Sequence, residues 1–333
     1  MRTKALTLIV ALLVAQAQPA FAYIKFGLTI NGQAVTLRWS QTPRYYVSTQ
    51  TTTGVSTADF QAAIGKAFDT WQAVPTATIS YQFAGTTSAQ PGTNDGLNVL
   101  GFRDRPDLDR VLASTNYVID ESTGALLESD IFFNSSFSWS VAPNGETNKF
   151  DLQSTALHEI GHFSGLGHSA LGETTLRGTD PSAGRRVDAA EAVMFPIAFA
   201  PGSIAARTLK ADDIAGITDL YPDPSASSLG SISGTVTKNG TAILGAHVIA
   251  YDVASGQMVA GFTLNSRGQF SIGALSPGAH ILRIEPLDDA DLDSFFPSTA
   301  TVDVNFRVAF FDQILTVPRG GDTGSVTITV QPK

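Results

Sequence analysis

With 333 residues, 43% apolar and 15% charged, the chain is longer than one typical domain, has enough apolar content for a large core, and lies outside the compositions of disordered chains. A net charge of −9 argues against nucleic acid as a partner and leaves Asp residues over for solubility or calcium. With no cysteine in the chain, the fold has to stand on packed cores or bound metal, since disulfides are excluded.

At the amino terminus, Arg2 and Lys4 precede an apolar run over 5–14, and Pro19-Ala20-Phe21-Ala22 places small residues where a signal peptidase reads. The expectation is a signal peptide over 1–22, cleaved after Ala22, whose loss takes the net charge from −9 to −11. An apolar run of about 10 residues is too short to cross a ~30 Å hydrocarbon core, so no stable membrane anchor is expected after cleavage. This predicts an exported protein, extracellular or periplasmic.

Residues 36–48 are rich in β-branched and aromatic side chains and predict a strand region. A helix follows, with Ser56 and Asp59 as a capping box, Phe60, Ile64, Ala67, Phe68 and Trp71 at helical spacing, and Pro75 beyond its end. Four further strands are expected at 78–83, 97–102, 111–118 and 127–134, separated by Gly, Pro, Asn and Asp clusters. A second helix starts at Asp151 as N-cap and runs to about Phe163; a third spans about 210–221 and stops at Pro222. The polar stretch 223–230, DPSASSLG, predicts a linker. Beyond it, short alternating strands around 232–237, 247–252, 269–272 and 279–284 are punctuated by turn dipeptides such as Asn239-Gly240, which predicts an all-β sandwich over 231–333. The fold class is therefore α+β: a twisted mixed sheet with three helices, then a β-sandwich.

Residues 158–168 read HEIGHFSGLGH. On a helix, His158 and His162 project from one face, close enough to ligate one ion at ~2.0 Å. Glu159 sits about 100° round the helix, so its carboxylate reaches an activated water without being a ligand. Gly165 permits the positive φ that turns the chain back and brings in His168 as third ligand. Three protein ligands leave a fourth position for water, the arrangement of catalytic zinc. A bare HExxH arises by chance, but three of the chain's five histidines lie in this window with the glycine between them. His247 and His280 read as ordinary residues of the β region.

HEIGHFSGLGH resembles the metzincin pattern HExxHxxGxxH, and AVMFP at 192–196 is similar to that clan's methionine turn, which implies that Met194 floors the zinc site. Ser169 after the third histidine, LKADDIAGITDLY at 209–221 and AFDTW at 67–71 narrow the resemblance to the matrixins, over about 35–222. Pro196 stands where astacin-like and serralysin-like enzymes carry tyrosine. The resemblance implies a zinc metalloprotease domain over 23–222 acting on protein or peptide substrate, which lies antiparallel along the edge strand at 111–118. It also implies a substrate pocket shaped by Pro196 and the loop 197–207, with Ala198 where matrixins commonly carry an aromatic residue. Three features depart from the family. The cysteine-switch motif is missing, no histidine between 23 and 157 serves a structural zinc, and 25 residues between His168 and Met194 predict an extra loop, 178–186, near the cleft. Without cysteine, and with neither Asp nor Glu in 23–35, no inhibitory propeptide group is expected.

The region 230–285 resembles carboxypeptidase-regulatory-like or transthyretin-like sandwiches, which carries no activity with it. Asp288, Asp289, Asp291 and Asp293 lack the glycine and spaced glutamate of a calcium loop and read as a solvated charged loop, although calcium remains a candidate ligand of this acidic chain. The competing function is a secreted adhesion protein with a vestigial metal domain. Glu159 argues against it, because a decayed site loses its base before the ligands that still support the fold. Sequence sets neither the substrate nor the oligomeric state.

Overall fold

The computed structural model describes residues 25, 27–30, 33–177, 184–288 and 291–333. The expected signal peptide, 1–22, lies outside them, as do 178–183 of the expected extra loop and Asp289 of the acidic cluster.

After a hairpin of β1 (Gly27–Ile30) and β2 (Gln33–Thr36), the first half of the chain builds a five-stranded mixed sheet. Its strands are β3 (Arg44–Ser48), β4 (Gln82–Thr87), β5 (Asn98–Arg103), β6 (Ala113–Asp120) and β7 (Ala125–Asn134), in the order β4-β3-β5-β7-β6. All pairings are parallel except that of β6, which joins β7 antiparallel from Ala113↔Phe133 to Asp120↔Ala125 and ends the sheet. The expected strand at 78–83 starts later, at Gln82. Thr78 N–H is taken by Tyr221 O at 2.8 Å, and Ala77 pairs with Pro222, so this segment is tied to the end of the last helix instead of the sheet.

Helix α1 (Thr57–Gln72) is capped by Ser56 and buries Phe60, Ile64, Ala67, Phe68 and Trp71, as the spacing predicts. Its Trp71 Nε1 donates to Leu157 O of α2 (Leu152–Phe163) at 2.8 Å, which locks the two helices together. Asp151 caps α2 by accepting from Ser154 N. The carbonyls at the end of α2, which the helix itself leaves unbonded, receive Trp39 Nε1 on Phe163 O (2.8 Å) and Tyr221 OH on Ser164 O (2.7 Å). Two short strands, β8 (Trp139–Ser140) and β9 (Phe150–Asp151), lead into α2. The hairpin β10 (Gly172–Leu176) and β11 (Arg185–Ala190) fills most of the long interval between His168 and Met194, and α3 (Ala211–Leu220) closes this half.

The expected linker is folded. Residues Pro224–Ser228 form a 3-10 turn held by Asp223 N–H on Thr76 O (2.9 Å) and Ser225 Oγ on Pro75 O (3.3 Å). Two sheets follow. In one, β12 (Gly230–Lys238) pairs antiparallel with β13 (Thr241–Ala242) and β16 (Gln269–Leu275), and parallel with β20 (Asp322–Val330). In the other, β14 (His247–Asp252) lies between β15 (Met258–Phe262) and β17 (Gly278–Glu285), and the far edge of β17 carries β18 (Ala309–Phe310) and β19 (Leu315–Val317). Alternate residues of β12, Ile232 and Val236, are buried with Phe270 and Ile272 of the same sheet and with Val248, Leu282 and Ile284 of the other. The protein is thus α+β, with three α-helices among the described residues.

Candidate metal centre

Helix α2 places His158 and His162 one turn apart, and the chain must then reverse within a few residues. Gly165 makes that reversal at φ +102°, and a Cβ there would collide with Leu37 O. Gly161, between the first two histidines, is required for another reason. A Cβ at this position would run into Met194 Sδ and the Trp71 ring, so the glycine lets the methionine turn press against the helix beneath the histidines. Met194 is 3% exposed. Asp213 of α3 fixes the turn from the other side, accepting from Val193 N (2.8 Å) and Met194 N (3.1 Å). Burial raises the Asp213 carboxyl to about 6, against the lowering effect of these backbone hydrogen bonds. The sequence singled out Met194 but not Asp213; the only available hint was the acidic pair in the first turn of the third helix.

The three histidines converge, with one ligand nitrogen from each lying within 4.8 Å of the others. Each imidazole Nδ1 stands 2.8 Å from a backbone carbonyl: His158 from Val193 O, His162 from Leu166 O and His168 from Ser294 O. A carbonyl can only accept, so each Nδ1 carries the proton and each Nε2 presents a lone pair. The Nε2 atoms of His162 and His168 are 3.2 Å apart. Two lone pairs facing at that distance repel. A tetrahedral zinc with bonds of ~2.05 Å separates its ligand nitrogens by about 3.3 Å, so the donor set fits that ion. Burial lowers all three imidazoles, His158 to about 3, with the neighbouring histidines adding to the effect at His158 and His162. They are therefore neutral near pH 7, the form in which imidazole ligates.

Glu159 is 5% exposed, and burial raises its carboxyl to about 7; a hydrogen bond from Thr115 works the other way. Thr115 Oγ1, on the edge strand β6, lies 2.6 Å from Glu159 Oε2 and 3.1 Å from Glu159 O. Tyr117, two residues along the same strand, donates from its hydroxyl to His162 O at 3.0 Å. The edge strand thus runs beside α2 in the same direction as the helix. Neither Thr115 nor Tyr117 was identifiable as a site residue from the sequence, since their roles depend on which strand ends the sheet.

A cleft of about 1210 Å³ opens over this centre, lined by the histidines, Glu159, residues 109–117 and the segment after the methionine turn, including Pro196 and Ala198. That segment is tied back to α2. Arg207 Nε donates to Asp151 Oδ1 at 3.0 Å, a second pairing joins Arg207 Nη2 to Asp151 Oδ2, and the guanidinium also reaches Ala142 O and Pro143 O. Arg185, from the expected extra loop, lines the cleft and contacts Thr174 Oγ1 and Asp288 O, both at 3.1 Å. The remaining two histidines stay away from the centre. His247 is buried with Nδ1 at 3.0 Å from Glu285 Oε1, and His280 turns its Nδ1 to Gly278 O. Asp288 is joined to Lys333 and Asp291 to Arg185; among the described residues, the three histidines form the metal-competent group.

Residues 38–178 match the matrixin peptidase family, a range that includes His158, Glu159, His162 and His168 and stops before Met194. The chain is 32% identical over 178 residues to metalloendoproteinase 1 of Glycine max, covering 49% of this chain and 45% of that protein. It therefore spans less than half the length of this curated relative. A solved structure of the Bacillus anthracis TIE protein aligns with 32% of this chain and 17% of its own, at 17% identity and a TM-score of 0.19. A Bacteroides uniformis chain described as a candidate carbohydrate binding protein aligns with 31% of this chain and 41% of its own, at 14% identity and a TM-score of 0.21. Neither of these two likenesses carries an argument. The family match and the curated relative show that residues 38–178 are similar to the matrixins, a family that implies zinc and peptidase chemistry.

Proposed function

We propose that this protein is an exported zinc endopeptidase that hydrolyses extended polypeptide, with His158, His162 and His168 as metal ligands and Glu159 as general base. The observation that carries this reading is the convergence of three Nε2 lone pairs, fixed by carbonyls behind each ring, next to a buried carboxylate. Bound at these nitrogens, zinc supplies Lewis acidity toward the scissile carbonyl and acidifies the attacking water.

The residues of the chain do the rest. Substrate pairs antiparallel with the edge strand β6, which binds it through backbone hydrogen bonds and aligns the scissile bond over Glu159. Because β6 runs with α2, substrate residues before the scissile bond lie toward the carboxyl end of α2, and those after it lie toward Asp151 and the pocket at Pro196 and Ala198. Glu159 takes a proton from the water and delivers it to the leaving amine. Its burial supports this role, because a carboxyl raised to about 7 can both accept and return a proton near neutral pH. Met194 keeps the floor apolar. Residues 23–222 form the protease domain, 223–230 the junction and 231–333 a β-sandwich accessory domain, with export driven by residues 1–22. The competing adhesion reading has no comparable support, because Glu159 is present and directed by Thr115.

The direct test is Glu159→Gln. It is expected to retain one zinc per chain while losing about 10²- to 10⁴-fold in hydrolysis of a denatured protein substrate. Near-normal activity in this variant removes Glu159 from the mechanism.

A further inference from the structure

The three carbonyls that orient the zinc ligands do not come from one region. Val193 and Leu166 lie within 35 and 4 residues of the histidines they hold, inside the protease fold. Ser294 lies 126 residues beyond His168, in the carboxy-terminal region. We infer that the carboxy-terminal region is a working part of the metal centre: the Ser294 carbonyl, seated by Phe295, positions His168, so docking of this region sets how tightly zinc is held. This inference rests on the zinc-peptidase reading above.

The docking is built from several contacts around His168. Phe295, 3% exposed, meets the His168 ring edge-on at 6.2 Å between centroids and the Phe262 ring of β15 at 5.6 Å. It belongs to a buried cluster drawn from both halves of the chain: Ala170 and Phe195 from the protease side, Phe262, Leu287 and Phe296 from the other. A second cluster joins Leu171 and Ala192 to Ile249 and Ala260. Asp212 of α3, 3% exposed, accepts from the Ala260 backbone N–H at 2.8 Å. Residues adjacent to the ligand His168 (Ala170, Leu171) and to Met194 (Phe195, Ala192) therefore pack on the accessory region as part of their own burial. Within the 3-10 turn that presents the carbonyl, Ser294 N–H donates to Asp291 O at 2.9 Å. That turn supplies the acceptor for the proton on His168 Nδ1, and the same bond selects the tautomer whose Nε2 faces the metal.

The experiment compares zinc dissociation constants in the full chain, measured by competition with a chelator, together with thermal stability of the metal-free form. Phe295→Ala removes the ring that seats the turn. Ser294→Gly leaves the core packing in place and only loosens the backbone that carries the acceptor. Ile328→Ala in β20 is the control, a buried truncation that lowers stability without touching the turn. Zinc affinity is expected to fall about ten- to a hundred-fold in Phe295→Ala, the range for a lost ligand-orienting partner. It should fall less in Ser294→Gly, recover in Phe295→Leu, and stay at the wild-type value in Ile328→Ala. In nitrogen-15 spectra, the His168 Nδ1–H signal should broaden in the first two variants only. Wild-type affinity in both a folded Phe295→Ala chain and Ser294→Gly overturns the inference, as does an equal loss in Ile328→Ala. If Phe295→Ala does not fold, Ser294→Gly decides alone. A wild-type chain that binds no zinc refutes the metal-site reading itself, and is told apart because no variant then differs from it.

Discussion

Thr115 offers a quantitative test of how the edge strand tunes the proposed base, Glu159. Its hydroxyl lies 2.6 Å from a carboxylate oxygen of Glu159 in a buried setting, and this hydrogen bond opposes the burial that raises the carboxyl to about 7. A hydrogen bond to a charged group contributes about 1.5–3 kcal/mol, and 1.36 kcal/mol corresponds to one pKa unit. Because the same hydroxyl is also within reach of Glu159 O, the lower end applies, about one unit. Thr115→Val keeps the shape of the side chain and deletes the donor. The sign follows from which form is favoured: the bond stabilises the ionised carboxylate, so its loss raises the pKa of Glu159. The base must be ionised to act, so activity falls off earlier as pH decreases. The acid limb of kcat/KM against pH should therefore move up by about one unit, with the plateau at higher pH largely retained. Bound zinc lowers the absolute position of the limb in both proteins and leaves the direction of the difference unchanged. The assay is hydrolysis of a quenched fluorescent peptide across pH 4.5–9 at saturating zinc. A limb that does not move, or that moves to lower pH, refutes the assignment of Thr115 and weakens that of Glu159.

His162→Ala should lose zinc and lower thermal stability together, because ligation is coupled to folding; full zinc occupancy by elemental analysis would mean the ligand set is wrong. Gly161→Ala should cost about 1–3 kcal/mol in denaturant unfolding, since the added methyl meets Met194 Sδ and Trp71 in a packed core, and an unchanged midpoint would show that the methionine turn does not press on the helix. A peptide-library profile should favour large apolar residues immediately after the scissile bond, because Ala198 leaves room in the pocket beside Pro196; dominance of Gly or Asp there contradicts this pocket assignment. Residues 23–333, loaded with zinc, should be active before any limited proteolysis, and activity appearing only after release of a fragment, particularly a carboxy-terminal one, would reveal an inhibitory contact.

The local parts of this protein were legible in its sequence because they depend on near neighbours. The four-residue spacing of His158 and His162, the N-caps Ser56 and Asp151, the glycine that reverses the chain before His168 and the apolar stripe of α1 each follow from helical periodicity or from backbone sterics at one residue. Met194 was singled out by resemblance, but not the reason Gly161 must be glycine above it. Strand positions were readable to within a few residues, except where a long-range bond intervened, as at Thr78, which is held by Tyr221 O. The pairing of β20 with β12 was not readable, since it is a parallel pairing between segments about ninety residues apart.

What only the tertiary structure decided are the partners of the site. Thr115 reaches Glu159 because β6 ends the sheet. Asp213 reaches the turn at Met194 across 20 residues, and His168 takes its carbonyl from Ser294, 126 residues away in a region whose own strand pattern says nothing about metal. A candidate ligand announces itself in sequence because its side-chain chemistry is rare and its spacing is fixed by one helix and the glycine turn that follows it. A backbone carbonyl that orients a ligand is chemically the same at every residue, so only the packing that brings Ser294 to His168 distinguishes it from the others.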